Sequence, residues 1–194
     1  MSHVGRPASS GLGYSPPVPS LIVPQPLTPA TYAPYGKVLM ASPRGEAGAV
    51  ANLGTALRFD DVVGVENRRD PSTCPLKVKV FRSRPVPFER RKLALLEKHP
   101  HSTQLFIPMN ASRYIALVAL GGERPDLSTL AAFVAEGPQG ISYGPGVWHH
   151  PMLTLDSETD FVVFVHEDGT PDDCVVVDRD GAEWPELDLA SVAR

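Results

Sequence analysis

The stretch Leu76-Lys77-Val78-Lys79-Val80-Phe81-Arg82 alternates apolar and charged side chains. This period of two predicts a half-buried β-strand, because successive side chains of a strand point to opposite faces. Further strand-like runs lie at 21–23, 37–40, 55–60, 103–109, 114–120, 140–143, 147–155, 160–165 and 174–178. Many short strands separated by Gly, Pro and Asp turns predict an all-β sandwich or barrel.

Helical signals are few. Thr28 as N-cap, Pro29 at the first helical position and Gly36 beyond the end predict one short turn. Asp126 is a good N-cap for a second helix that Gly137 would close. Its apolar face would consist of Leu127, Leu130, Phe133 and Val134. Residues 88–97 are also compatible with one or two helical turns. The prediction is a mainly-β fold with one or two peripheral helices.

Composition indicates one globular domain. A chain of 194 residues with 42% apolar side chains can bury a single core. Residues 1–20 are rich in Ser, Gly and Pro and are expected to form a flexible leader, with one domain at 21–194.

The net charge of -4 indicates no nucleic-acid or anionic-membrane partner. The apolar runs are too short to span a bilayer. Two distant cysteines, Cys74 and Cys174, suit a reducing, cytoplasmic compartment.

The chemistry-bearing residues cluster around two histidine pairs. Glu97 and His99 are two residues apart, so an extended backbone points both to one face. Gln104 returns from the next strand, and His149 follows a tight Gly-Pro-Gly turn that ends at Gly146. Together they form a mixed nitrogen and oxygen set that suits a divalent first-row metal ion or a metal-free acid/base pocket. The alternative is two unrelated polar strand ends with surface histidines.

Arg82 shares strand parity with Val78 and Val80. If this face is the interior, Arg82 needs an anionic partner, which a substrate carboxylate would supply. The alternative is a solvated residue at the end of the strand. The lysines of the same strand are expected on a solvated face. Asn52 has a short polar side chain that could line a pocket.

Three longer strings carry a family resemblance. Residues 97–109, 124–133 and 137–151 resemble those of the ureidoglycolate lyase family, called ureidoglycolate hydrolase in older naming. The similarity extends from about Leu27 to about Val177. The string Val147-Trp148-His149-His150-Pro151, taken together with the string from His99 to Met109, is the specific part of the match.

The resemblance implies a jelly-roll β-barrel of the cupin superfamily, a homodimer acting on a small-molecule substrate. The implied reaction cleaves (S)-ureidoglycolate to glyoxylate and urea in allantoin (purine) catabolism. Alternatives are a cupin metalloenzyme of other activity, a non-catalytic cupin that binds small acids, and a hydrolase that releases ammonia and carbon dioxide.

The resemblance also implies roles for particular residues. The expected catalytic residues are His149, His99 and Glu97. The expected substrate-binding residues are Arg82, Gln104, Asn52, Tyr143 and Trp148. A divalent ion (nickel, zinc or manganese) would be held by Glu97, His99, Gln104 and His149, and no organic cofactor is expected. In this set Glu97 stands where the superfamily has a histidine, and Gln104 where it has a carboxylate.

Overall fold

The computed structural model of this chain describes residues 17–110, 112–178 and 184–194. Most of the expected leader therefore lies outside the described residues.

The elements in the first half of the chain are β1 (Leu21–Ile22), β2 (Gln25–Pro26), α1 (Pro29–Tyr32), β3 (Gly36–Leu39), β4 (Ala49–Ala51), a 3₁₀ turn (Asn52–Gly54), β5 (Ala56–Arg58), β6 (Leu76–Ser83), β7 (Arg90–Lys92) and β8 (Leu95–Lys98). The second half contains β9 (Gln104–Pro108), β10 (Tyr114–Ala119), a 3₁₀ turn (Leu127–Thr129), β11 (Ala131–Ala135), β12 (Gly140–Tyr143), β13 (Trp148–His149), β14 (Leu153–Thr154), β15 (Thr159–His166), a 3₁₀ turn (Pro171–Asp173), β16 (Val175–Asp178), β17 (Glu186–Asp188) and a 3₁₀ turn (Ala190–Val192).

Two large sheets form the body of the fold. One has the order β16-β8-β13-β10-β11-β2 with β14 also on β10, and the other has the order β3-β12-β9-β15-β6. Side chains of both sheets meet in one core, which includes Tyr114 and Phe133 from the first sheet and Phe106, Ile141 and Phe161 from the second. The fold is therefore a jelly-roll sandwich of two facing sheets, which confirms the predicted mainly-β class.

A second core lies on the outer side of the seven-stranded sheet. Leu96, Leu117 and Trp148 point to that side and pack with Ile22 and Leu187. Ile22 and Leu187 belong to the three-stranded sheet β1-β17-β7. Because the seven-stranded sheet is covered on both faces, β10 is buried along its whole length.

The short helix α1 is confirmed. Thr28 caps it by accepting a hydrogen bond from the backbone N–H of Thr31, and Pro29 occupies its first turn. The two other helical predictions are wrong. Asp126 caps only a 3₁₀ turn, and the residues that follow it form β11. Residues 88–97 form β7 and the start of β8.

The orientation of β6 is the reverse of the expected one. Phe81 faces the interior and contacts Phe106 edge-on, with ring centroids 5.9 Å apart. Lys79 shares that inner face and pairs with the buried Val163. Val78 and Val80 consequently lie on the outer face, where each is 61% exposed. The alternation therefore predicts the strand correctly, but the prediction that Lys79 lies on the outer face is wrong.

The sandwich is closed on one side and open on the other. On the closed side, Tyr32 packs edge-on against Phe133, with ring centroids 5.3 Å apart. On the open side, β6 and β16 are the last strands of their sheets. Phe81 and Val176 face inward from these strands yet remain 44% and 54% exposed. Among the described residues, the inner surface at these two edge strands, here named the gap between β6 and β16, is therefore partly exposed to solvent.

Candidate active site

Two neighbouring strands of the seven-stranded sheet supply the central acid/base groups. Glu97 on β8 is directly opposite His149 on β13, so both side chains point into the sandwich. The Glu97 Oε1 and His149 Nδ1 atoms are 3.8 Å apart. His99 follows β8 with the same parity as Glu97, and its ring lies 5.7 Å from that of His149, at an angle of 18°. The two distant histidine strings thus meet in the interior, as the family resemblance implies.

The five-stranded sheet supplies the opposite wall. Tyr143 on β12 and Gln104 on β9 are directly opposite each other and face inward. The ring of Tyr143 stacks on that of His149, with centroids 4.0 Å apart and an angle of 4°. This contact fixes the plane of the His149 ring. Four of the expected site residues on four different strands, together with His99 just after β8, therefore form one cluster.

This cluster contains an unusual number of buried polar atoms without a partner. Among the described residues, His99 Nε2, both nitrogens of His149, Gln104 Oε1 and Tyr143 Oη are buried and accept or donate no hydrogen bond within the chain. A buried polar group left unpaired costs about 1–3 kcal/mol, and such groups are rare in native proteins. Their concentration at one place makes this cluster the candidate site for a bound ligand or for ordered water that supplies their partners.

Two contacts that the sequence did not predict orient the cluster. The Nδ1 of His99 donates a hydrogen bond to the backbone carbonyl of Asp173, 2.8 Å away, which fixes the orientation of the His99 ring. The thiol of Cys174 donates to Glu97 Oε2, with a sulfur–oxygen distance of 3.8 Å. Both partners come from the segment before β16, and no local spacing in the sequence links them to His99 or Glu97.

Burial controls the protonation of the site. It lowers the pKa of His149 well below its usual value, and the neighbouring His99 lowers it further. Burial raises the pKa of Glu97, against smaller opposing effects of His99 and Cys174. Burial, followed by the Glu97 charge, raises the pKa of Cys174 to about 11, so Cys174 is a neutral thiol donor. The arrangement favours a neutral imidazole next to a carboxyl group that retains its proton more readily than usual.

The donor chemistry of the cluster fits a divalent metal ion. Imidazole nitrogens, a carboxylate and an amide oxygen suit nickel, zinc or manganese. The unpartnered atoms of His99, His149 and Gln104 are available for that role. The possible ligand atoms lie farther apart than those around a bound metal ion. The donor atoms of Glu97, His99 and His149 do not all lie within 4.8 Å of one another.

In the described parts of the chain, one other group has ligand atoms that all lie within 4.8 Å of one another, namely Cys74, Asp168 and Asp173. However, Arg69 already binds both carboxylates of this group, with a distance of 2.9 Å from its Nη1 to Asp168 Oδ2. An internal cation therefore neutralises this cluster.

Three expected substrate-binding residues lie away from the site, and these predictions are corrected. Arg82 is on the outer face of β6, where its Nε and Nη2 bind the two carboxylate oxygens of Asp160 at 2.7 and 2.8 Å. The indole of Trp148 points into the outer core and donates to the carbonyl of Gly122. Asn52 lies at the exposed tip of the β4–β5 hairpin.

The larger surface clefts are also separate from the site. One of about 870 Å³ is lined by residues that include Leu39, Phe59 and Val134. Another of about 590 Å³ includes Tyr35 and Glu66 in its lining. Neither cleft is lined by the histidine cluster, whose imidazoles are almost fully enclosed. His99 and His149 are only 7% and 2% exposed.

A jelly roll with acid/base groups collected inside its sandwich defines a protein of cupin-like fold. The sequence model of the family described as ureidoglycolate lyase matches residues 19–183 of the chain. The chain therefore belongs to the ureidoglycolate lyase family.

Individual relatives agree with this assignment. A ureidoglycolate lyase of Burkholderia cepacia is 45% identical over 71% of this chain and 75% of its own length. One of Burkholderia mallei is 40% identical over 72% and 78%, and one of Pseudomonas syringae pv. tomato is 33% identical over 77% and 85%. Among solved structures, a dTDP sugar isomerase from Desulfovibrio desulfuricans matches with a TM-score of 0.44 and 15% identity, covering 66% of this chain and 76% of that one.

Proposed function

We propose that this protein is a ureidoglycolate lyase that cleaves (S)-ureidoglycolate to glyoxylate and urea. Family membership supports the reaction class. The observation that supports its location is the set of unpartnered polar atoms on His99, His149, Gln104 and Tyr143, which are buried together inside the sandwich. A small polyfunctional substrate with hydroxyl, carboxylate and ureido groups would satisfy such a set.

The reaction requires one proton to leave the substrate and another to reach it. Ureidoglycolate is a carbinolamide, in which one carbon carries the hydroxyl, the carboxylate and the ureido nitrogen. A base removes the hydroxyl proton, the carbon–nitrogen bond breaks as the aldehyde forms, and an acid protonates the departing nitrogen. No water is consumed, so the products are glyoxylate and urea.

His149 acts as the base in this proposal, because burial keeps its imidazole neutral. Glu97 acts as the acid, because burial raises the pKa of its carboxyl group. After the bond breaks, the proton returns from His149 to Glu97 across the 3.8 Å that separates them. His99 and Gln104 bind the hydroxyl and ureido groups with their unpartnered atoms.

A divalent ion held by Glu97, His99, Gln104 and His149 would occupy the lone pairs of His149 and Glu97, so it would take the place of their acid/base roles. Such an ion would supply Lewis acidity that makes the substrate hydroxyl easier to ionise.

The test is incubation of the purified protein with racemic ureidoglycolate, with and without a chelator, while glyoxylate, urea and ammonia are measured. Equal amounts of glyoxylate and urea, without ammonia, are expected. Ammonia in place of urea would establish the hydrolase reaction, and binding without turnover would establish a sensor of small acids. Loss of turnover with the chelator, restored by added metal, would establish the need for an ion.

The proposal extends to the setting of the reaction. The substrate places the enzyme in allantoin breakdown, and the net charge of -4 supports no nucleic-acid partner. No helix in the described residues is long and apolar enough to cross a membrane. Cys74 and Cys174 are free thiols, which supports a reducing cytoplasmic location.

The exposed Val78 and Val80 form part of an outer apolar surface with the half-buried Phe164, which supports a homodimer.

A further inference from the structure

The lyase proposal leaves the carboxylate of the substrate without a cation. An anion that enters a largely enclosed site loses hydration, and this loss must be offset by a positive group. Arg82, which the sequence suggested for this role, is bound to Asp160 on the outer face of β6. Arg69 is bound to Asp168 and Asp173.

Lys79 lies on the inner face of β6, whereas Arg82 lies on the outer face. Its position opposite Val163 directs its side chain into the sandwich, beside the gap between β6 and β16. Its side chain is 37% exposed, so solvent and small solutes can reach it. Lys77 shares this face but is exposed near the start of the strand.

The partner of Lys79 connects it to the acid/base cluster. The Nζ of Lys79 binds the carboxylate of Glu167, whose side chain is only 18% exposed. Glu167 precedes Asp168, whose backbone N–H donates to Asp173 Oδ1, and the backbone carbonyl of Asp173 accepts from His99 Nδ1. The Lys79–Glu167 pair is therefore joined to the histidine cluster through the segment 167–173.

We propose that Lys79 binds the carboxylate of ureidoglycolate, and that the substrate replaces Glu167 as its partner. This inference rests on the proposed lyase function. In the absence of substrate, Glu167 balances the lysine charge. When the substrate enters, one carboxylate is exchanged for another at the same ammonium group, so Lys79 is never left without an anion. A purely structural ion pair would not make this exchange.

The two members of the pair therefore have opposite predicted effects. Lys79→Met should raise KM for ureidoglycolate roughly 10- to 100-fold with a much smaller change in kcat, because a hydrogen bond to a charged group is lost. Glu167→Gln should leave KM unchanged or lower it, because the competing carboxylate is removed. Lys79→Arg should retain most of the affinity. Lys77→Met is the matched control, with the same charge change on the same strand, and its KM should stay within about twofold of the parent value.

A substrate without the carboxylate isolates the role of Lys79. Hydroxymethylurea is a carbinolamide that lacks this group, and its cleavage should be equally slow in the parent protein and in Lys79→Met. Equal increases in KM for Lys79→Met and Glu167→Gln would show a structural pair and overturn the inference. An equal effect of Lys77→Met would show general charge attraction and would also overturn it.

Glyoxylate binding, measured by calorimetry, separates this inference from the lyase proposal. If the parent protein releases no urea but binds glyoxylate, and Lys79→Met weakens that binding at least tenfold, the lyase function fails and the carboxylate site stands. If the parent turns over ureidoglycolate and Lys79→Met has normal KM and normal glyoxylate affinity, the function stands and the role of Lys79 is refuted.

Discussion

Replacement of His149 is the perturbation for which the structure predicts the largest loss of activity. His149 is 2% exposed, stacks on Tyr143 and lies 3.8 Å from Glu97. A positioned general base contributes roughly 100- to 10,000-fold to the rate. Each tenfold change in rate corresponds to about 1.4 kcal/mol, so the activation barrier should rise by about 3–5 kcal/mol. Both His149→Ala and His149→Gln should therefore lower kcat for urea release by two to four orders of magnitude.

The neighbouring residue is the control. His150 is also buried, but its Nδ1 donates to the carbonyl of Pro151, and its side chain lies outside the cluster. His150→Gln should retain kcat within about threefold, since it removes no group that contacts the substrate. Circular dichroism and melting curves would establish that all variants are folded. A folded His149→Ala protein with nearly normal kcat, or an equal loss in His150→Gln, would refute the assignment of His149 as the base.

Three further predictions concern stability and assembly. Tyr143→Phe should raise the free energy of unfolding by about 1 kcal/mol in denaturant titrations, because it removes a buried hydroxyl group without a partner, and it should lower activity. Arg113 lowers the pKa of Asp156, so this pair stabilises the fold at neutral pH and its contribution is lost as the pH falls through the folded-state pKa of Asp156. Asp156→Asn should therefore cost about 1 kcal/mol at pH 7 and less at pH 3, measured by melting at both pH values, because it leaves the buried Arg113 with a weaker partner while the 41% exposure of Asp156 screens the pair. Finally, Val78→Asp combined with Val80→Asp should convert a dimer to monomers in sedimentation experiments, and an unchanged molecular mass would exclude this surface as the interface.

The spacing of Glu97 and His99 places them on one face because this information is local, whereas their meeting with His149 is implied only by the family resemblance. Glu97 and His99 are two residues apart on a strand, and the turn before His149 starts another strand at the same end of the sandwich. The contacts of Asp173 and Cys174 could not be predicted in this way. They depend on how the segment before β16 returns to β8, which is a property of the tertiary structure.

The errors in the fold have equally specific causes. Leu127, Leu130, Phe133 and Val134 have the spacing of an apolar helix face, but β11 is buried on both sides and its strand is apolar at every position. Alternation correctly separated Lys79 from Val80 on β6, but it does not reveal which face is the interior. The reversed orientation places a cation inside the opening and leaves apolar side chains outside. A pattern that assumes an apolar interior cannot predict this arrangement at a functional site.

A crystal structure of the protein soaked with glyoxylate would test the location of the site most directly. We expect the product to lie between His149 and Gln104, with its aldehyde oxygen within hydrogen-bonding distance of an imidazole nitrogen. Glyoxylate bound instead in the 870 Å³ cleft beside Phe59, with the histidine cluster unoccupied and unchanged, would contradict the account.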